Sequence, residues 1–217
     1  MKIKAILTKI LSSVGQLVIA SILWTVCSLP LFTMGAATSS LYYCVVKTVR
    51  RENGNILTDF FRVFKESFWQ ALPVTMIFLV YFTLIAFFDV QHFHTIGTVK
   101  LDTFIIVSIG FTVLGIWSAV YAFPSISRFY YKGVTLFRFI TFISVKHFIT
   151  TLLMILLFLG SACICISNGV FLIIVPGLYN YYISFLLEPI FRDCSSDPDS
   201  PNYKTWYSNN SDKSDES

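Results

Sequence analysis

Three side chains near the middle of the chain have the residue types of a metal site. Asp89, His92 and His94 lie within six residues of one another. Imidazole nitrogens and carboxylate oxygens bind zinc, but alternate positions converge on one ion only in extended or looped backbone. In a short loop such residues are more often solvated. We therefore predict no metal site and keep these three residues as the candidate cluster.

Motifs for the common catalytic mechanisms are missing from the sequence. It contains no phosphate loop G-x-x-x-x-G-K-[ST], no G-x-S-x-G and no H-E-x-x-H. The cysteines Cys163 and Cys165 do not have C-x-x-C spacing, and on a helix their side chains diverge by about 200°. The sequence thus predicts no catalytic residue, no cofactor and no enzyme.

Ionisable side chains are rare inside the apolar segments of the chain. Asp89 and Glu188 fall at segment ends, where we expect their carboxylates to reach water. Gln16, Asn168 and Asn180 are polar residues of the type that forms hydrogen bonds between helices. Because proton and ion pathways need intramembrane ionisable groups, this pattern disfavours a proton-coupled carrier.

The composition indicates a membrane protein of one domain. Of 217 residues, 55% are apolar and 13% are charged, whereas soluble domains have about 25% charged residues. This small number of charges could not cover a water-facing surface. We therefore expect the lipid bilayer as a partner. The net charge of +4 comes from basic residues between apolar runs, and no nucleic-acid partner is predicted.

Five apolar segments are long enough to be transmembrane helices. A bilayer core needs about 20 helical residues. The segments are residues 11–32, 71–88, 103–124, 148–167 and 169–187. A sixth, residues 32–46, would reach about 22 Å as a helix. It is either a short or re-entrant helix returning beside the first span, or an extension of that span.

Basic residues mark two connections as cytoplasmic. Cytoplasmic loops of membrane proteins are enriched in lysine and arginine. One connection has five such residues and the other four: Lys47, Arg50, Arg51, Arg62 and Lys65, then Arg128, Lys132, Arg138 and Lys146. This orientation places the C-terminus in the cytoplasm. Residues 1–192 form the predicted helical transmembrane domain, and the Ser- and Asp-rich residues 193–217 a disordered tail.

Each basic connection has the pattern of an amphipathic helix. In residues 57–68, apolar side chains recur at spacings of three and four. We predict helices lying at the cytoplasmic membrane surface, here and after Val134. Four charged residues occupy the opposite face of the first helix and are candidates for docking a protein partner, because mixed charges fix register: Asp59, Arg62, Lys65 and Glu66.

Proline and small residues indicate helix breaks or close packing. Proline cannot continue the hydrogen-bond ladder, and small residues allow two backbones to approach. Pro30, Thr33, Gly35 and Ala36 are predicted to form a tight turn or kink. Breaks or kinks are also predicted at three later residues: Pro124, Pro176 and Gly177.

Several stretches resemble a known family. The stretch LWTVCSLPLFTMGAATSSLYY at residues 23–43, FFRVFKESFWQA at 60–71 and YAFPSISRF at 121–129 are similar to the YesL-like family, a domain-of-unknown-function family (DUF 624). The resemblance covers residues 11–188. It implies a multi-pass protein of the bacterial inner membrane. Members are often encoded beside carbohydrate-uptake and polysaccharide-degradation genes, which implies a role in sugar uptake or its regulation.

Three functions are compatible with these features. The first is a non-enzymatic accessory protein that docks a membrane or cytoplasmic protein partner. The second is a small transporter or channel subunit with a site at the broken helices. The third, which has the least support, is a membrane enzyme acting on lipid-linked substrates. A transporter needs a polar cavity and an enzyme needs converging ionisable residues, and the sequence shows neither.

Overall fold

The computed structural model describes residues 2–50, 55–96, 103–129 and 133–194, and these ranges are helical with no β-strand. The predicted all-α fold is confirmed. The helices, in chain order, are α1 (Lys2–Cys27), a 3₁₀ turn (Leu31–Thr33), α2 (Met34–Cys44), a π-helix (Val45–Arg50), α3 (Ile56–Ile96), α4 (Thr103–Arg128), α5 (Val134–Lys146), α6 (Phe148–Ser167), a second 3₁₀ turn (Gly169–Ile173) and α7 (Val175–Cys194).

Within the described ranges, three helices are long and apolar enough to cross a membrane, and they indicate a membrane protein. They are Ile56–Phe93, Thr103–Arg128 and Phe148–Ser167. The predicted spans 71–88, 103–124 and 148–167 lie inside them. The predicted first span overlaps a shorter apolar helix, Ser12–Cys27. The helix α7 has 20 residues but is not among the helices apolar enough to cross a membrane. The count of five long spans and a short sixth is therefore not confirmed. The part of the predicted tail that follows Cys194 lies outside the described residues.

The helix α3 is longer than the sequence pattern indicated. Residues 57–68, predicted as a separate surface helix, are the beginning of one helix that continues through Pro73 to Ile96. Asn55 caps it, since Leu57 N donates a hydrogen bond to Asn55 Oδ1 at 3.1 Å. Its 41 residues make about 61 Å, about twice the thickness of a bilayer core. A separate amphipathic helix is therefore not confirmed at this position.

The chain reverses direction between α1 and α2. Thr33 Oγ1 lies 2.6 Å from the carbonyl oxygens of both Cys27 and Pro30, which fixes the turn. Beyond the turn, Trp24 Nε1 donates a hydrogen bond to Thr38 Oγ1 at 3.0 Å. The short segment therefore returns beside the first helix and does not extend it.

The bundle has two ends, which we name after one residue at each. At the Arg128 end, the last turns of α2 and α4 meet the second half of α7. At the Pro30 end, α1 finishes beside the start of α7, where Gly177 N donates to Ser21 Oγ at 2.9 Å. A large apolar core is formed by side chains from each of the helices α2 through α7. A smaller core lies between α1, α2 and the start of α3.

Candidate functional site

A buried ion pair lies at the Arg128 end. Arg128 Nη2 and Arg128 Nε each lie 2.9 Å from Glu188 Oε1. The Tyr42 hydroxyl donates to the same oxygen at 3.1 Å. The Arg128 side chain is 0% exposed and that of Glu188 is 9% exposed. Charges this buried persist only when they are paired. We call Tyr42, Arg128 and Glu188 the ionic layer.

Each residue of the ionic layer comes from a different helix. Arg128 is the last residue of α4, Tyr42 lies in the last turn of α2, and Glu188 lies in α7. A cation at a helix C-terminus also offsets the partial negative charge of the helix dipole. The Arg128 guanidinium carbon lies 5.4 Å from the Tyr42 ring centroid, a distance at which a cation and an aromatic face attract. The layer therefore links three helices that are far apart in sequence.

A second ion cluster lies next to the ionic layer. Lys47 Nζ and Arg62 Nη2 lie 2.8 and 2.9 Å from Asp59 Oδ1, and the Asp59 side chain is 9% exposed. Tyr43 connects the two groups, since its hydroxyl accepts a hydrogen bond from Arg62 at 3.2 Å and its ring centroid lies 5.6 Å from the Arg128 guanidinium.

The π-helix positions two of the cations at this end of the bundle. Lys47 and Arg50 both belong to it. Arg50 Nη1 donates to the Ser184 carbonyl oxygen at 2.8 Å, and its guanidinium lies 4.2 Å from the Phe185 ring centroid. Helices with this wider turn are rare and are frequently found at functional sites. Here the turn attaches the end of the α2 segment to both α3 and α7.

The four predicted docking residues do not all share an exposed face. Lys65 and Glu66 are exposed, and the Arg62 side chain is 51% exposed. Asp59 is buried against Lys47, which corrects its predicted placement on the outer face. The reason is that the buried stripe of α3 is rotated from the predicted one: it consists of Ile56, Phe60, Val63 and Ser67.

The predicted helix-break residues lie at four places, two of them in or next to the α1–α2 reversal. Pro30 and Thr33 form the α1–α2 reversal. Gly35 and Ala36 are not in the turn itself, because α2 has already begun at Met34. They are buried, and a Cβ atom at Gly35 would overlap Thr75 Oγ1 and the Phe123 ring.

The later prolines do not interrupt their helices. Pro124 is buried inside α4, where Ser39 Oγ donates to the neighbouring Phe123 carbonyl oxygen at 2.9 Å. Pro176 and Gly177 lie in the first turn of α7, where a missing backbone donor has no cost. The actual break before α7 is the 3₁₀ turn Gly169–Ile173.

The candidate metal cluster lies on the helix α3 and not on a loop. Asp89 Oδ2 accepts a hydrogen bond from Ser108 Oγ at 2.9 Å, and the His92 ring stacks on Phe104 with centroids 4.3 Å apart. The side chain of His94 lies outside the described residues. Among the described residues, no three histidine, cysteine or acidic side chains are grouped as a metal site would require.

An apolar cavity of about 730 Å³ lies between the helices. Every α-helix except α5 contributes to its wall. The lining includes Pro124 and Pro176 from the predicted breaks, together with aromatic and aliphatic side chains such as Phe78, Phe123 and Ile183. This volume falls within the usual range for small-molecule sites, about 300–1,000 Å³.

The ionic layer is the feature that the sequence analysis missed. In the sequence, Arg128 is one residue of a basic connection, and Glu188 lies at a segment end where a solvated carboxylate is expected. One signal could have identified the pair: both residues end apolar segments that the charge pattern directs to the same side of the membrane. An acid and a base at the same depth are candidates for pairing.

The comparison with protein families confirms the resemblance proposed from the sequence. Residues 17–90 match the family described as "Protein of unknown function, DUF624". The matched range contains the residues 23–43 and 60–71 on which the resemblance was based, and it ends before residues 121–129. No curated protein and no solved structure matches the chain.

Proposed function

We propose that this DUF624-like membrane protein is a non-enzymatic accessory protein of carbohydrate uptake or its regulation, and that it docks a protein partner. One observation carries the proposal: an exposed strip on the first turns of α3, which we call the docking strip. It consists of Phe61, Arg62, Lys65, Glu66 and Trp69.

The docking strip is a rigid surface of interface-type residues. At 100° per residue its members span an arc of about 140°, and Trp69 is 81% exposed. The other side of this helix is fixed by the Asn55 cap and by the ion pair of Asp59 with Lys47. Tryptophan and arginine are the residue types that most often dominate binding energy at interfaces.

The charges on the strip specify the chemistry of the partner. Arg62 and Lys65 would face acidic residues, Glu66 would face a basic residue, and Phe61 and Trp69 would enter apolar pockets. The partner that fits is a segment at the cytoplasmic membrane surface of a sugar importer, because the family resemblance implies that context. The orientation is part of the proposal: the Arg128 end is cytoplasmic, the chain crosses the bacterial cell membrane several times, and the C-terminus is cytoplasmic.

Site-specific photocrosslinking in native membranes tests the docking strip. A photoreactive amino acid at Trp69 should give an adduct with a membrane component of a carbohydrate importer, identified by mass spectrometry. The double reversal Lys65→Glu/Glu66→Lys should lower its yield at least tenfold, because like charges then face each other. The matched control is Arg138→Glu, an exposed charge on α5 outside the strip. An adduct unchanged by the double reversal, or adducts with lipid alone, would show that the strip docks no protein.

A small transporter or channel subunit is the second candidate, and the cavity is the observation in its favour. The cavity lies beside both chain reversals, as a site at broken helices would. A sugar substrate would need several polar partners in its wall. Because the wall is apolar, we place this candidate second.

A further inference from the structure

We propose that the cavity binds one acyl chain of a membrane phospholipid, as a site separate from the docking strip. The inference rests on the chemistry of the cavity wall, on where the cavity reaches the surface and on what closes its other end. It does not depend on the accessory role proposed above.

Four polar side chains of the wall use a donor within the protein. Thr38 Oγ1 and Thr75 Oγ1 donate to the carbonyl oxygens four residues before them, at 2.8 Å each. Ser161 Oγ donates to Phe158 O at 2.7 Å, and Asn180 Nδ2 donates to Pro176 O at 2.9 Å. Thr38, Thr75 and Ser161 therefore offer the cavity no free donor, and Asn180 Oδ1 is a buried acceptor without a hydrogen bond among the described residues.

A sugar in this cavity would leave many hydroxyl groups without partners. Each unsatisfied buried polar group costs about 1–3 kcal/mol. A hydrocarbon chain has no such groups and gains free energy from contact with Phe78, Phe82 and Phe123. The wall thus selects an apolar chain over a carbohydrate.

The cavity reaches the protein surface at the Pro30 end. Two of its lining residues, Leu31 and Met34, are exposed and apolar. Tyr179 also lines the cavity, one turn into α7, and within the described part of the chain its hydroxyl makes no hydrogen bond. A phospholipid ester carbonyl near the bilayer interface would supply an acceptor for that hydroxyl. The acyl chain would then extend from the Pro30 end into the cavity.

The ionic layer closes the cavity toward the Arg128 end. Pro124 lines the cavity and lies four residues, about 6 Å along the helix, before Arg128. Ile183 lines it and lies five residues before Glu188. Arg128 and Tyr42 are fully buried in contact with Glu188 and are not among the lining residues, so we infer that the cavity ends before the ionic layer. A chain entering from the Pro30 end would be held and would not pass through.

Photolabelling of the full-length protein tests the acyl-chain site. The protein is reconstituted in phosphatidylethanolamine–phosphatidylglycerol vesicles that contain phosphatidylglycerol with a diazirine halfway along one acyl chain. Mass spectrometry should locate adducts on the cavity residues Phe78 and Tyr179 as well as on Ile149, an exposed residue of α6 outside the cavity. Labelling at Ile149 without labelling at the cavity residues would overturn the proposal.

Two matched substitutions on α6 isolate the cavity. Ala162→Phe fills it, because Ala162 lines it, and should lower labelling at Phe78 at least fivefold without changing Ile149. Gly160→Phe, where the added side chain meets open space, should change neither. Equal labelling at Phe78 in both variants would contradict the site. Ala162→Phe should also leave the Trp69 partner adduct intact, so failure of either proposal can be recognised separately.

The reactivity of a cysteine that lines the cavity tests the site without a substitution that fills the cavity. Cys165 borders the cavity, and the other four cysteines are replaced so that it is the single thiol of the chain. A charged thiosulfonate added from either side should leave it at least 90% unmodified, because a lipid chain excludes water. Rapid modification would show a water-filled path, would overturn the acyl-chain site and would support the transporter candidate.

Discussion

Glu188 is the residue on which the Arg128 end of the bundle depends. Its Oε1 atom is contacted by Arg128 from α4 and by Tyr42 from α2. A pair of this kind adds little net stability compared with a well-packed apolar pair, but removing one member leaves the other charge buried. The consequence can be measured with single and double substitutions.

Glu188→Ala should destabilise the protein by about 3–5 kcal/mol, because Arg128 would stay buried without its counter-charge. The measurement is thermal unfolding in detergent, in which the fraction of protein that stays monodisperse is recorded at each temperature. The double substitution Arg128→Met/Glu188→Met should recover most of the loss.

The matched control for this prediction is Glu66→Ala, which removes an exposed carboxylate. It should change stability by no more than about 0.5 kcal/mol. If Glu188→Ala and Glu66→Ala had equal effects, the ionic layer would have no structural role.

At the scale of elements, α2 is held against α3 and α4 by close approach at Gly35. The α-carbon of Gly35 faces Thr75 of α3 and Phe123 of α4, and four residues later Ser39 Oγ bonds the Phe123 carbonyl oxygen. A side chain at Gly35 would push these three helices apart, although leucine has the better helix propensity.

Gly35→Leu should lower stability by about 1–3 kcal/mol or more, as expected for overpacking at a buried site. Gly110→Leu on α4 is the matched control, because a side chain at Gly110 meets open space. It should be neutral or stabilising. The comparison uses the same thermal assay in detergent, and equal melting temperatures for the two variants would refute the packing argument.

At the scale of the whole molecule, the positions of the helix ends support one topology. The ends of α2 and α4 and the second half of α7 meet at the Arg128 end, and the chain reverses at the Pro30 end after α1 and before α7. With the basic connections in the cytoplasm, we propose that the chain crosses the membrane with α1, α2, α3, α4, α6 and α7.

Cysteine accessibility in whole cells checks this topology. Cysteines introduced at residues 54 and 133 should not react with a membrane-impermeant maleimide from the periplasmic side, because the proposed topology places both in cytoplasmic connections. A cysteine at residue 98, between α3 and α4, should react and is the positive control. Strong labelling at residue 54 or 133 would reverse the orientation.

The sequence by itself determined the membrane class, the all-α fold and the positions of the three longest apolar helices. These properties follow from local composition, since about 20 consecutive apolar residues are enough to indicate a span. Local pattern also gave the turn at Pro30. It could not give the rotation of α3, because Phe60 and Phe61 are equally apolar and the neighbouring helices decide which one is buried.

The tertiary structure alone decided the features on which the functional proposals depend. The sequence pattern predicts a solvent-facing Asp59, whereas in the structure Lys47 of the π-helix lies 2.8 Å from its carboxylate. Arg128 and Glu188 are 60 residues apart. No periodicity in the sequence predicts that the end of α4 lies beside the second half of α7. The cavity likewise exists only where six helices meet. Such features arise from long-range packing, whereas hydropathy and helix periodicity report the local chain.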